Sequence, residues 1–148
     1  MDLRAFNMGC NVLAFDRDGK PCGMVCAWAT HIDYDKIALL VGGQSFTGKV
    51  ISIDKIVGVS ALAEGQEDVA HKLGEQHSNE SNKFDGVDLE HKDSAIFVKG
   101  AKVQMFCQVQ KIMRLVNSED KFVILQVLSY KSDKSKKFLS LDEVYPEE

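Results

Sequence analysis

Residues whose types could support catalysis or metal binding are spread thinly along this chain. The cysteines show no C-x2-C spacing of a zinc or redox site, and the histidines show no metal-ligand spacing. The sequence also has no Gly-x-Ser-x-Gly nucleophile elbow and no Gly-x-Gly-x-x-Gly dinucleotide fingerprint. We interpret the cysteines as reduced thiols that act as small buried apolar residues. They are Cys10, Cys22, Cys26 and Cys107. We interpret the histidines as solvated or helix-end residues. They are His31, His71, His77 and His91.

Hydroxyl groups that could contact a ligand occur at Thr30, Ser45 and Thr47. A Ser-x-Thr pair before a helix is ordinarily an N-cap, in which the side-chain oxygen accepts a backbone amide hydrogen bond. The free amides at a helix start also attract anions such as phosphate. The hydroxyls of Ser45 and Thr47 therefore have two candidate roles, a cap and a phosphate contact, and the local pattern leaves both open.

Bulk composition restricts the class of protein. A chain of 148 residues predicts one domain. Its net charge of −4 argues against nucleic acid as a partner, since duplex binding relies on a surplus of Lys and Arg. No apolar run approaches the roughly 18 residues of a transmembrane helix, and the start lacks the order of a secretory signal. We therefore expect a cytoplasmic protein that contacts no membrane.

Hydrophobic periodicity and turn residues predict many short strands and one clear helix. Asp18-Gly19 is a tight-turn signal inside a hairpin over residues 9–30. The second half of the chain predicts an alternating strand around Val103–Val109 and a central strand, Phe122–Leu128, that is apolar on both faces. The other predicted elements are a strand at Ile37–Val41, a short helix at Phe46–Lys55, a strand at Ile56–Leu62, a helix at Glu64–Leu73 and a polar loop at His77–Asp93.

This order of elements predicts a mainly β fold, a closed or partly closed antiparallel barrel with one or two short flanking helices. We place the domain at residues 1–130. The Lys-rich stretch that follows predicts a charged C-terminal tail over residues 131–148, which is not a separate domain.

A succession of local patterns resembles the flavin reductase-like family, whose members share the FMN-binding split barrel. The resemblance begins with the Asp-Gly turn and covers about residues 9–130. No single piece is specific to the family, but the pieces occur in the family's order and at compatible spacing. The pieces are Cys22-Gly23-Met24-Val25-Cys26-Ala27-Trp28-Ala29-Thr30, Gln44-Ser45-Phe46-Thr47-Gly48-Lys49-Val50-Ile51, Ile56–Leu62, Glu64–Ala70 and Asn82-Lys83-Phe84.

The resemblance implies an FMN site and a closed split barrel. A flavin needs an apolar slot, backbone hydrogen bonds to its polar edge and donors for its phosphate. The matching segments supply small residues for close approach, three hydroxyls and two lysines. The implied cofactor-binding residues are Met24, Cys26, Ala27, Trp28, Ala29, Thr30, Ser45, Thr47, Lys49 and Lys83.

The resemblance further implies an FMN-dependent oxidoreductase, in which the protein holds the flavin and supplies no catalytic side chain. One departure concerns the electron donor. Many nicotinamide-dependent members carry Gly-Asp-His before the last core strand, and this chain has Ser118-Glu119-Asp120 there. Flavin binding is therefore better supported than NAD(P)H oxidation, and electron transfer with a redox protein partner becomes a second interpretation. Family members also generally form homodimers.

Two other hypotheses remain at the level of sequence. One is a non-catalytic split-barrel module that holds flavin or another planar cofactor such as haem, because a fold does not fix a function. The other is an interaction protein in which Ser45 and Thr47 act only as caps.

Overall fold

A computed structural model describes residues 2–75 and 83–147, and within them the chain forms nine strands and three short helices. The strands are β1 Asn11–Arg17, β2 Lys20–Cys26, β3 Ala29–His31, β4 Lys36–Val41, β5 Ile56–Ala61, β6 Leu89–Lys92, β7 Ala95–Val98, β8 Val103–Arg114 and β9 Lys121–Ser132. The helices are α1 Phe46–Val50, α2 Glu67–Gly74 and α3 Leu141–Val144.

The β1–β2 hairpin confirms the prediction made from Asp18-Gly19. Both turn residues have positive φ, at 54° and 84°, as a two-residue hairpin turn of the primed type requires. The pairing runs in register from Asn11 opposite Cys26 to Arg17 opposite Lys20. The predicted hairpin stopped at Thr30, whereas the structure ends β2 at Cys26 and begins β3 after a bend at Ala27 and Trp28.

All nine strands join one antiparallel sheet in the order β3-β4-β9-β8-β5-β1-β7-β6, with β2 paired to the other side of β1. The mainly β prediction is confirmed. The central position predicted for Phe122–Leu128 is also confirmed, because β9 lies between β4 and β8. Hydrogen bonds between the described strands do not close the sheet into a ring, so β2, β3 and β6 are each paired on one side only.

Two clusters of buried residues lie on opposite faces of β1, because successive side chains alternate across a strand. Leu13 and Phe15 belong to the first cluster, with residues of β4, β5, β8 and β9. Val12 and Ala14 belong to the second, with residues of α2, β7 and the C-terminal segment. The sheet therefore packs on both faces, and each cluster holds part of the predicted ligand segment: Cys26 the first and Val25 the second.

Several predicted boundaries differ from the structure. The helix predicted over Phe46–Lys55 ends at Val50, since Ile51 adopts extended backbone and Asp54 donates its amide hydrogen to Val109 O at 2.8 Å. The helix predicted from Glu64 begins at Glu67, because Gly65 has φ +95° and the Gln66 side chain accepts from the Ala63 amide. The second half of the loop predicted over His77–Asp93 contains β6, paired with β7, and residues 76–82 lie outside the described residues.

The C-terminal segment is more structured than a charged tail. Leu139 and Val144 are buried in the second core cluster, and Leu139 donates its amide hydrogen to Leu62 O at 2.9 Å. Ser140 caps α3 by accepting the Asp142 amide. Residues after 130 therefore complete the same body as β1 and α2.

The cysteines are free and buried, as predicted. Burial raises the pKa of the Cys26 thiol to about 11 and that of the Cys107 thiol to about 12, because desolvation disfavours the thiolate. Burial, with a smaller contribution from Glu143, also raises the pKa of Cys10 to about 11. These three thiols are therefore protonated and unreactive near neutral pH.

Candidate functional site

A cavity of about 520 Å³ opens between the edge strand β3, the inner faces of β4, β5 and β8, and both ends of the chain. Its walls are mainly apolar, and its polar groups lie at the mouth. The apolar wall includes Ala29, Ile37, Leu39, Val59, Ala61, Val103, Met105, Phe138 and Leu139. The polar groups come from Asn7, Asn11, Thr30, His31 and Ser140. Such a lining suits a flat apolar ligand with a polar edge.

The edge strand β3 forms one wall of this cavity. Within the described residues β3 pairs only with β4, in the register Ala29–Leu39, Thr30–Ala38 and His31–Ile37. An edge strand presents its other row of N–H and C=O groups to whatever lies beside it. All three β3 residues are exposed. The strand can therefore read the polar edge of a ring by main-chain hydrogen bonds.

Two of the residues predicted from the sequence, Ala29 and Thr30, line this cavity. Met24 and Cys26 do not, since their side chains pack on the first core cluster. The Cys26 thiol donates toward Trp28 O and Leu40 O, each at 3.2 Å, which fixes the bend before β3. Cys26 thus positions the strand. Ala27 lies in the same bend, and its carbonyl accepts the Ala29 amide at 3.1 Å.

Trp28 lies at that bend with 61% of its surface exposed. Its carbonyl accepts the Leu40 amide at 2.9 Å, so the backbone is held while the indole remains on the surface. An exposed indole beside an edge strand is available to a ligand or to a second protein surface. The predicted ring-contact segment therefore consists of a buried anchor, an exposed aromatic and a cavity-lining strand.

Ser45 and Thr47 direct their hydroxyls into the protein. Ser45 Oγ accepts the Gly48 amide at 2.9 Å and donates to Gly42 O at 2.6 Å, which is an N-cap on α1. Thr47 is 2% exposed, and its hydroxyl lies 3.7 Å from Cys22 Sγ. The described geometry therefore shows the capping role for Ser45, whereas the Thr47 hydroxyl contacts only the Cys22 thiol.

Ser45→Ala is expected to lower the free energy of unfolding by about 1 kcal/mol, because the cap of α1 is lost. Urea denaturation of the variant measures this, with Ser52→Ala as the control at an exposed residue of the next turn. Unchanged stability would contradict the capping role.

A recess of about 440 Å³ adjoins α1 and collects cations that come from three parts of the chain. Lys49 of α1, Arg114 at the end of β8 and Lys121 at the start of β9 line it, with Glu119 and Gln44. Lys121 Nζ donates to Gly48 O at 2.5 Å, and Gln44 donates to Glu119 at 2.6 Å. We refer to this as the α1 recess. It brings three cations together on a protein whose net charge is −4.

Arg114 and Lys121 were not among the residues predicted from the sequence. They lie 65 residues or more beyond Lys49 in the chain, and only the antiparallel β8–β9 pairing, with Arg114 opposite Lys121, brings them to α1. Asp120 stands where many nicotinamide-dependent members of the family carry a histidine. Its carboxylate accepts the amide hydrogen of Gly43, a residue of the α1 recess, at 3.4 Å.

Lys83 occupies a different place from the other predicted residues. It is 3% exposed and donates to Leu73 O at 3.0 Å, at the C-terminal end of α2. Burial lowers its pKa, because desolvation disfavours the ammonium. The described contacts thus direct it toward α2 rather than into the cavity or the α1 recess.

The chain ends contribute cavity residues that the sequence patterns did not reveal, among them Phe138 and Ser140. The available signal was an apolar pair after the Lys run followed by Ser-Leu-Asp-Glu, which is a helix start.

No helix in the described ranges is long and apolar enough to cross a membrane.

The structural class is a mainly β domain, in which one antiparallel sheet surrounds an apolar cavity and short helices flank the sheet. Residues 3–145 match the profile of the flavin reductase like domain. No curated protein matches the sequence. The match spans nearly the whole chain, so this protein belongs to the flavin reductase-like domain family.

Solved structures agree on the fold. The NADH:FAD oxidoreductase SgcE6 of Streptomyces globisporus has a TM-score of 0.80 at 19% identity, over 90% of this chain and 80% of that one. Flavoredoxin from Methanosarcina acetivorans has a TM-score of 0.78 at 14% identity, over 90% and 73%. An FMN-binding protein from Thermus thermophilus has a TM-score of 0.79 at 13% identity, over 88% and 75%.

Proposed function

We propose that this protein is a flavin-dependent oxidoreductase that holds the flavin ring in the cavity beside β3. The observation that carries the proposal is the edge strand Ala29–His31 at the mouth of a largely apolar cavity of about 520 Å³, in a chain of the flavin reductase-like family. A bound flavin supplies hydride and electron transfer that no side chain can supply. The chain's own residues bind, orient and exclude water.

The cavity residues divide these tasks. Ile37, Leu39 and Val59 are nearly inaccessible and give the ring an apolar wall. The free edge of β3 offers main-chain groups to the polar end of the ring, and Thr30 adds a hydroxyl that donates to His31 O in the described structure. Trp28 and Ala27 hold the entry to this strand. Met24 and Cys26 support it from the core.

We propose that the flavin is FMN and that its phosphate lies toward the α1 recess. Ala29 pairs with Leu39, and Gly43 of the recess is the fourth residue after Leu39, about 13 Å along an extended chain. Lys49 with Arg114 and Lys121 supplies positive charge there. Ser45 and Thr47 fix the backbone that carries Lys49. Lys83 supports α2, which packs against β2.

We also propose a homodimer, since a single copy leaves large apolar side chains exposed around β3 and β9. Trp28, Tyr34 and Tyr130, which lie in or next to β3 and β9, are 61%, 101% and 72% exposed. Either NAD(P)H or a redox protein would provide electrons.

The purified protein tests the proposal directly. We expect yellow protein, or uptake of added FMN or FAD measured by quenching of flavin fluorescence. Anaerobic addition of NADH or NADPH should then bleach the flavin absorbance if a nicotinamide is the donor. A colourless protein that binds neither flavin would overturn the proposal, and a flavin that binds without bleaching would direct the search to a protein donor.

One observation favours a second candidate, a module that holds haem. His31 lines the cavity, and an imidazole is a common axial ligand of haem iron. Addition of haem under the same conditions, with His31→Ala as the comparison, separates the two ligands, because only haem binding depends on the imidazole.

The proposed phosphate site in the α1 recess can be tested by substitution of two of its cations. Lys49→Gln with Arg114→Gln is expected to weaken FMN binding about tenfold, since two exposed charges opposite a phosphate contribute up to about 1 kcal/mol each. Riboflavin, which has no phosphate, should bind the variant unchanged. Lys20→Gln with Lys111→Gln removes the same charge elsewhere on the surface and serves as the control. Equal loss for FMN and riboflavin would contradict the phosphate assignment.

A further inference from the structure

A second group of cations surrounds a recess of about 370 Å³ at the end of β8 and β9. Lys131, Lys134 and Lys136 line it, together with Gln104. We call this the lysine recess. Its lysines come from the Lys-rich segment that the sequence predicted to be a solvated tail, in a chain whose net charge is −4. The recess therefore concentrates positive charge on a protein that is acidic overall.

Two lysine side chains donate hydrogen bonds to backbone carbonyl groups around the lysine recess. Lys136 Nζ donates to Gly100 O at 2.7 Å, and Lys102 Nζ donates to Asp133 O at 2.7 Å. Two carboxylates also line the recess, and both have partners. Asp133 accepts from Ser135 and lies 3.8 Å from Lys136, while Glu90 accepts from Gln104 at 3.3 Å. Lys131 and Lys134 have no ion-pair partner among the described residues.

The lysine recess adjoins the mouth of the cavity at the first residues of β8. Val103 lines the cavity and pairs with Ser132, which lines the recess. Lys102, between the two, places its ammonium group 5.6 Å from the ring centroid of Phe138, a cavity residue. Because Val103 and Gln104 point to opposite faces of β8, a ligand would pass from one site to the other around the start of this strand.

The two adjoining sites have complementary chemistry: one is apolar and flat-walled, and the other is rich in lysine. We propose that the lysine recess binds the diphosphate of a dinucleotide whose aromatic ring enters the cavity. Ammonium groups bind phosphate as point charges, and a diphosphate linkage is flexible enough to bend around a strand end. This inference rests on the proposed flavin site for the aromatic end of the ligand. Because the phosphate of the flavin is assigned to the α1 recess, the diphosphate belongs to a nicotinamide dinucleotide.

The test uses ADP as the probe for the diphosphate, with Lys131→Gln and Lys134→Gln combined in one variant. These two side chains carry no described hydrogen bond, so the fold should be retained. We expect calorimetry to show ADP binding that weakens about tenfold in the variant and weakens further as salt screens the charges. The Lys20→Gln, Lys111→Gln double variant should bind ADP as the unsubstituted protein does.

Two further measurements test the source of the diphosphate. We expect the variant to lose affinity for NAD⁺ measured with the flavin bound, and to keep its affinity for FAD. Loss of affinity for FAD with unchanged affinity for NAD⁺ would overturn the assignment to a nicotinamide dinucleotide. No ADP binding, or equal ADP binding by the Lys131, Lys134 variant and its control, would overturn the inference. FMN binding in that same experiment would leave the proposed function standing.

Discussion

Gly58→Ala is expected to lower the free energy of unfolding by about 3 kcal/mol, the upper end of the usual cost of overpacking. A Cβ atom built on Gly58 lies 2.2 Å from Ile96 O and 2.8 Å from Ile96 C. Both contacts are backbone atoms, which cannot rotate away as a side chain can. At this point β1 passes from pairing with β5 to pairing with β7, so Gly58 lets two strands approach each other.

Thermal unfolding measures this effect, and a fall in Tm of about 10 °C is expected for a domain of this size. Gly74→Ala is the control. Its Cβ would meet Tyr145 Oη at 3.5 Å and Val25 at 3.8 Å, which are ordinary contacts, and alanine favours the helix by up to about 1 kcal/mol. If the two alanine variants had the same Tm, the close approach at Gly58 would not be a determinant of the fold.

Ala29→Trp is expected to reduce flavin affinity more than tenfold, because the indole would fill the mouth of the cavity that we assign to the ring. Ala29 is exposed on the edge strand, so the larger side chain should leave the core intact. Fluorescence titration with riboflavin measures the effect without any contribution from a phosphate. The loss should therefore be as large for riboflavin as for FMN, in contrast to the loss expected from the α1 recess variant.

Ile32→Trp is the matched control for this second prediction. Ile32 follows β3, is 46% exposed and does not line the cavity. Its variant should bind riboflavin as the unsubstituted protein does, and both variants should keep their Tm. Full riboflavin affinity in Ala29→Trp would place the ring elsewhere, and the exposed indole of Trp28 would then be the next surface to test.

The three binding variants together distinguish the parts of the proposed site. The cavity variant affects every flavin, the α1 recess variant affects only phosphorylated flavins, and the lysine recess variant affects only ligands with a diphosphate. Such a pattern depends on the separation of ring, phosphate and diphosphate along the sheet. It cannot result from general loss of stability, which would affect riboflavin, FMN and ADP alike.

Local sequence patterns predicted those parts of the fold whose stabilising contacts lie close together in the chain. The Asp18-Gly19 turn specified the first hairpin, because positive φ at two adjacent residues requires such residues. Alternation identified β8, and a strand apolar on both faces identified β9 as central. Short β6 and β7 were not predicted, since β6 is a polar segment that becomes a strand only by pairing with β7.

The site residues divide in the same way. The sequence pointed to Ala29 and Thr30, and the structure places both at the cavity. It also pointed to Ser45 and Thr47, whose local pattern suits either a cap or a phosphate contact. Only the surroundings distinguish these roles: the partners of Ser45 are Gly42 and Gly48, and Thr47 is enclosed next to Cys22.

The sequence by itself determined a mainly β domain of the flavin reductase-like family with free buried cysteines, and it predicted a ligand-contact segment that ends at Thr30. The tertiary structure decided where the charges meet. Arg114 and Lys121 join Lys49, and Lys131 lies beside Gln104, because antiparallel pairing of long strands brings distant residues together. No local pattern carries that information, since a strand's register depends on its partner and not on its own residues.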